Sequence, residues 1–225
     1  MTRRDFDNYG THPGIARWAV GHATRLCGKY HDGRILEPCC GDDAPFASAG
    51  KEAGLFPFGY DIRDVAPELW SGRDADYVYP DTSVNEFATQ WWDGRLFDII
   101  ATNPPFRIGE NVIRKSLELL SPFGSAVFLV KMAFLGTQER SKMYIERPPA
   151  EIHILTKRPS FSGDGKTDVA QEYCLVFWLG DELDRMWRRW NRPTMISWLD
   201  NKPLMTDAQA KPRTVVEKGE EDGTQ

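Results

Sequence analysis

The chain has 225 residues, of which 41% are hydrophobic and 27% charged, with a net charge of −5. That composition fits one globular domain able to bury a sizeable core, and it excludes a uniformly basic nucleic-acid binder. No apolar run approaches the ~20 residues that span a bilayer, and Met1-Thr2-Arg3-Arg4-Asp5-Phe6-Asp7 has no apolar signal segment, so a cytoplasmic protein with no membrane partner is expected.

In chain order, the first element is a helix. Thr11-His12-Pro13-Gly14 precedes apolar residues at helical spacing from Ile15 to Val20, and proline in a first turn is a helix start. Arg34-Ile35-Leu36-Glu37-Pro38 follows as a short strand stopped by proline. Cys39-Cys40-Gly41-Asp42-Asp43-Ala44-Pro45 is then a tight loop of small residues opening a helix through about Lys51. The four cysteines, Cys27, Cys39, Cys40 and Cys174, include no Cys-x-x-Cys pair, so free, mostly buried thiols and no metal site are expected. Gly54 to Asp61 predicts a second strand ending in a carboxylate. A short helix from Val65 to Trp70, a third strand at Asp76-Tyr77-Val78-Tyr79 and a helix from Val84 to Trp92 come next.

Asp98-Ile99-Ile100-Ala101-Thr102 is the start of a buried strand, and Asn103-Pro104-Pro105-Phe106 breaks it. Two prolines lack backbone donors and fix φ, and each forces the residue before it out of the helical region. Asn103 therefore stands at the C-terminal lip of a strand in a rigid turn, with Phe106 placed to face a planar ligand. A helix from Gly109 to Leu120, a turn at Ser121-Pro122-Phe123-Gly124 and an apolar strand from Ser125 to Val130 are expected. A helix from Gln138 to Ile145 and a strand from Glu151 to Thr156 follow. His153, alone on that apolar strand, reads as a structural residue. The polar segment 157–171 leads to a last strand, Tyr173 to Leu179. Residues 131–193 hold 11 Lys and Arg against 9 Asp and Glu, a balance that permits phosphate contact without demanding it.

Strands alternating with helices, closed by two strands joined only by a loop, predict an α/β fold. Its sheet is doubly wound, mostly parallel and seven-stranded, with a C-terminal antiparallel hairpin. Residues 1–180 would be this domain. Residues 181–200 would be a short extension packed through Trp187, Trp190 and Trp198, and residues 201–225, poor in apolar side chains, a disordered tail. In such a sheet ligands bind beyond the carboxyl ends of the strands. Asp61 lies about 20 residues past the Glu37 to Ala44 loop, the spacing of a ribose-binding acid. Asp76 ends a third segment and is suited to an adenine amino group, in competition with Asp74 and Asp81.

These elements, from roughly Tyr9 to Leu179, resemble the Rossmann-like, S-adenosylmethionine-dependent methyltransferases of exocyclic amines, especially DNA adenine-N6 methyltransferases. Leu36-Glu37-Pro38-Cys39-Cys40-Gly41 is similar to the family's Leu-Glu-Pro-Ser-Ala-Gly cofactor loop. Asn103-Pro104-Pro105-Phe106 is similar to its Asn-Pro-Pro-Tyr/Phe catalytic motif. The resemblance implies S-adenosylmethionine as cofactor, touched by Thr11, Pro13, Glu37, Pro38, Cys39, Gly41, Asp61, Ile62, Asp76, Tyr77 and Asn103. It implies catalysis by Asn103, Pro104, Pro105 and Phe106, with DNA as substrate. Phe106, Phe161 and Lys166 would contact the substrate, Phe161 as the second wall of a base site. Where the family has a second glycine, the chain has Asp43, which implies a locally different loop path. RNA adenine, guanine N2 and protein glutamine are acceptors of the same chemical kind, and a catalytically degenerate module is the non-enzymatic alternative. The compact chain is also similar to enzymes of phages and mobile elements, which implies short or relaxed sequence specificity.

Overall fold

The structure, a computed structural model, describes residues 10–29, 32–61, 96–159 and 171–206 together with the backbone of 76–78. The helices expected at 65–70 and 84–92 lie outside the described residues, as do residues 207–225. The elements are α1 (Pro13–Cys27), β1 (Arg34–Pro38), α2 (Pro45–Glu52), β2 (Phe56–Tyr60), β3 (Asp76–Val78), β4 (Phe97–Thr102) and α3 (Gly109–Glu118). They continue with β5 (Leu120–Lys131), α4 (Gln138–Glu146), β6 (Glu151–Leu155), β7 (Tyr173–Leu179), α5 (Asp181–Arg189), β8 (Met195–Leu199) and α6 (Lys202–Thr206).

The strands form one sheet in the order β3-β2-β1-β4-β5-β7-β6-β8. Neighbours pair in parallel from β3 to β5, while β7 runs antiparallel to both β5 and β6. The chain moves outward from β1 to β3 and returns to place β4 beside β1, so the topological switch lies between β1 and β4. Alternation along the strands feeds two cores. Ile99 and Ala101, Val127 and Leu129, and Leu175 and Phe177 face one side with α1 and α2. Ile100, Ala126 and Phe128, and Val176 and Trp178 face the other with α3.

The β1–β4 pair is held where it begins by a side chain. Asp98 is 3% exposed, and its Oδ2 accepts from the amides of Asp32 and Arg34, each at 3.0 Å. Its Oδ1 accepts from Ser121 Oγ at 3.2 Å. Ser121 belongs to the segment expected to be a turn. Residues 121–124 instead lie within β5, where the β4 register slips between Phe97 and Ile99. Pro122 and Gly124 mark this irregularity rather than the end of an element. Gly180 closes over it, since a Cβ there would meet Ser121 O at 2.0 Å.

The C-terminal part departs furthest from expectation. The sheet has an eighth strand, β8, parallel to β6 at the edge and in register with it from Glu151↔Met195 to Leu155↔Leu199. Residues 181–200 thus extend the sheet rather than append to it. Trp187 is buried against Ala150 and Leu179, but Trp190 and Trp198 are 61% and 70% exposed and do not pack. The start of the expected tail is ordered as well. Asn201 is fully buried and bonds both backbone groups of Lys157. α6 lies flat on the start of α1, where a Cβ on Gly14 would meet Leu204 O at 1.7 Å. Among the described residues, no helix is long and apolar enough to cross a membrane.

One more buried acid shapes the layer. Ala44 gives α2 no side-chain cap; instead Glu37, 1% exposed at the end of β1, accepts from the Ala47 amide through Oε2 at 2.8 Å. Burial pushes the Glu37 carboxyl well above the usual range, against the pull of the Ala47 and Phe46 amides.

Two stability predictions follow from these acids. Asp98→Ala removes the buried acceptor of three part-buried hydrogen bonds and should cost about 1–3 kcal/mol in urea unfolding, with Asp98→Asn costing less. For Glu37 the folded form holds its proton more tightly than the unfolded one. Stability should therefore fall as pH rises above the ordinary carboxylate range toward the raised value. Glu37→Gln should flatten that slope in thermal melts across pH, while Glu37→Ala should lose about 1–3 kcal/mol at low pH, where the wild-type acid is protonated, and less as pH rises.

Candidate active site

At the sheet's carboxyl edge, the ends of β1, β2 and β4 come level. Pro38 stands opposite Tyr60, and Thr102 Oγ1 donates to the Pro38 carbonyl, tying β4 to β1 at the switch point. Thr102 is fully buried, so this bond is shielded from water. The loop after β1 turns sharply away, with Cys39 at φ 64° and Gly41 at φ 62°. Such a backbone is costly for a side chain like that of Cys39. Asp61, at the end of β2 and 5% exposed, accepts from the Gly41 amide at 2.9 Å. The Cys40 amide donates to Tyr60 O at 2.9 Å. The loop is therefore fixed against β2 from both sides.

The start of the described chain lies beside this loop. A Cβ on Gly10 would stand 3.5 Å from Asp43 Oδ2. Thr11 is 7% exposed, and its hydroxyl is buried with no hydrogen-bond partner among the described residues. A buried orphan hydroxyl costs about 1–3 kcal/mol, a cost that a polar ligand at the edge would offset. His12, not Thr11, caps α1: its Nδ1 accepts from the Gly14 amide at 3.2 Å. Burial, helped by nearby Arg17, holds the His12 ring below its ordinary range. Pro13 is the first residue of α1. Asp42 and Asp43 are both exposed.

On the β4 side, Asn103 follows Thr102 directly and is partly exposed. Pro104 is buried, close to Gly109, and a Cβ on Gly109 would lie 3.0 Å from the Phe134 ring. The Ile108 amide donates to Pro105 O at 3.2 Å and closes the turn. The stiffness expected from two prolines is thus reinforced by packing. Phe106 is partly buried, 6.3 Å from the Tyr173 ring, and Lys131 Nζ sits 3.7 Å from its centroid. One face of the Phe106 ring is covered by a cation, where an open plate was expected.

The structure brings together Thr11, Pro13, Glu37, Pro38, Cys39, Gly41, Asp61 and the Asn103 to Phe106 turn around one edge. Within that group Glu37 serves the amides of α2. Asp76 and Tyr77 are in β3, paired to Phe58 and Gly59 of β2. Ile62, Phe161 and Lys166 lie outside the described residues. Thr102, Lys131 and Tyr173 were not legible in the sequence as neighbours of the site. Lys131 and Tyr173 meet only through the antiparallel β5–β7 register, and a lysine closing an apolar run gave the one faint signal.

Comparison with known proteins places this architecture. No protein-family model matches the chain. The Type II methyltransferase M.TthHB8I of Thermus thermophilus is 35% identical over 111 residues, covering 47% of this chain, and the matched part is 22% of that protein's length. A Listeria monocytogenes protein assigned to the class I S-adenosylmethionine-dependent methyltransferases superposes with a TM-score of 0.63. It is 15% identical, over 89% of this chain and 71% of the other. The methyltransferase subunit of a type I restriction-modification system from Streptococcus thermophilus gives 0.58 and 12% identity, over 77% of this chain and 45% of that one. The chain has the Rossmann-like fold of the class I methyltransferases, the fold whose strand-end edge binds S-adenosylmethionine.

Proposed function

We propose that the chain is an S-adenosylmethionine-dependent methyltransferase acting on the N6 amino group of adenine in DNA. The observation that carries this is the placement of Asn103-Pro104-Pro105-Phe106 at the switch point, one buried hydrogen bond from the loop after β1. The partial relative among Type II methyltransferases supports methyl transfer, and the resemblance of the motif supports the exocyclic amine.

The residues present fit the cofactor. The orphaned Thr11 hydroxyl and the Asp61 carboxylate offer polar groups to a ligand with a carboxylate, an amine and ribose hydroxyls. When bound, the cofactor supplies an electrophilic methyl on a sulfonium. Asp61 already holds the Gly41 amide, so in this proposal it both shapes the loop and binds the sugar. Glu37 keeps α2 in place beneath.

Adenine N6 is a poor nucleophile because its lone pair is delocalised into the ring. The Asn103 side-chain oxygen and the Pro104 carbonyl would accept its two hydrogens, favouring a pyramidal nitrogen with its lone pair localised. Pro104, buried against Gly109 and Phe134, fixes that carbonyl in advance, so the work is done by position and electrostatics. Phe106 would stack on a base taken out of the helix or from a single strand. Lys131 would either share the ring with it or move toward a phosphate. Residues 181–206 build α5, β8 and α6, with β8 an edge strand of the sheet.

Nucleoside analysis after incubation with labelled cofactor and DNA, RNA or protein should give N6-methyladenine from DNA. Methyl groups recovered only in RNA or in glutamine would overturn the DNA assignment. Asn103→Ala should lower kcat/KM about 10²–10³-fold with a much smaller loss of S-adenosylhomocysteine binding by calorimetry. Asp61→Ala should do the reverse, weakening that binding by about 10-fold or more.

A further inference from the structure

A second cluster of chemically capable side chains lies away from this edge, between α1 and the last strands. Glu151 and His153 are two residues apart on β6 and so project to one side of the sheet, toward α1, where His22 meets them. Glu151 Oε2 lies 2.6 Å from His22 Nε2 and 2.7 Å from His153 Nε2. One donor atom from each residue falls within 4.8 Å of the others. The cluster packs on Phe177, and Phe106 packs on Tyr173, four residues away on the same strand. That separation is about 13 Å at strand spacing.

The rings are held in place. Trp18 stacks on His22 at 5.0 Å and an interplanar angle of 5°. Phe177 meets both imidazoles edge-on, at 5.0 and 5.4 Å. Ser197 Oγ, brought by β8, lies 2.7 Å from His153 Nδ1. With Nε2–H donating to Glu151, Nδ1 accepts from this hydroxyl; with a metal on Nε2 the same hydroxyl would accept from Nδ1–H and so hold the ring in its ligating tautomer. The Glu151 side chain is 7% exposed, His153 14% and His22 20%. The carboxylate is thus buried while the histidines border solvent.

We propose that His22, Glu151 and His153 form a binding site for a zinc-class divalent transition-metal ion, with a fourth position open to water, that clamps α1 to β6. Two imidazole nitrogens and one carboxylate oxygen are a donor set suited to zinc. Bonds of about 2.0–2.2 Å place tetrahedral ligands roughly 3.3 Å apart, so the two carboxylate–imidazole pairs open by less than about 1 Å, while the two imidazole nitrogens, within 4.8 Å of each other, settle to the same spacing. In the metal-free protein both Nε2 atoms face Glu151, and exposed Arg25 approaches His22 Nδ1 at 3.2 Å. On metal binding both imidazoles take the other tautomer, their Nε2 protons giving way to Nδ1 protons; His153 Nδ1–H then donates to Ser197 Oγ, and Arg25 swings away from His22 into solvent. A hard ion such as magnesium, which prefers oxygen ligands, does not suit the site.

The test uses the full chain stripped with a chelator and then titrated calorimetrically with zinc chloride. One equivalent should bind and raise Tm, with no comparable effect from magnesium. Cobalt(II) in the same site should show visible ligand-field bands without thiolate charge transfer. His22→Ala and His153→Ala should each weaken zinc binding at least tenfold. Arg25→Ala, an exposed change that leaves the ligands and the fold alone, should tighten it. The proposal is overturned by the absence of stoichiometric zinc binding, by thiolate bands, by binding unchanged in both histidine variants, or by an Arg25→Ala protein that binds zinc no tighter.

Discussion

Everything at the carboxyl edge depends on β1 and β4 lying side by side, and both ends of that pairing are fastened by side chains of β4. At the amino end the Asp98 carboxylate gathers the Asp32 and Arg34 amides and the bulge of β5. At the carboxyl end Thr102 donates to Pro38 O. Buried polar groups are expensive unless paired, so these bonds admit one register far more readily than a slipped one. Because β4 continues directly into Asn103, whatever fixes the register fixes the distance between the turn after β4 and the loop after β1.

The two sides of the edge are stiffened by different means. Around Asn103 the backbone is restricted by Pro104 and Pro105, and packing of Pro104 near Gly109 and Phe134 completes the restraint. The loop after β1 holds a residue other than glycine, Cys39, in the left-handed region. Its shape is imposed by the Asp61–Gly41 and Tyr60–Cys40 bonds rather than preferred locally. A motif whose conformation is local carries its geometry in the sequence; one whose conformation is imposed depends on partners far along the chain.

The C-terminal part shows the same contrast. Met195–Leu199 is a modest apolar segment with Trp198 and Ile196 exposed, and it becomes a strand because β6 offers it an open edge. Asn201 is polar and sits in a segment of low hydrophobicity, yet it is fully buried because Lys157 supplies both a donor and an acceptor. Hydropathy alone reports neither kind of compensation. It is also why His153 looked solitary, since its partners His22 and Glu151 reach it from another helix and from two residues away on its own strand.

The sequence by itself determined the class of fold, the strand ends at Pro38, Asp61 and Thr102, and the rigid turn of Asn103 to Phe106. These follow from period, proline and length, all local properties. Only the tertiary structure decided that β8 joins the sheet, that Ser121 to Gly124 is a bulge, and that Glu37 turns to the amides of α2. It also decided that Lys131 covers Phe106 and that His22, Glu151 and His153 share one corner. Each of these rests on a contact between residues distant in the chain or on the burial of a polar group, and a linear pattern encodes neither.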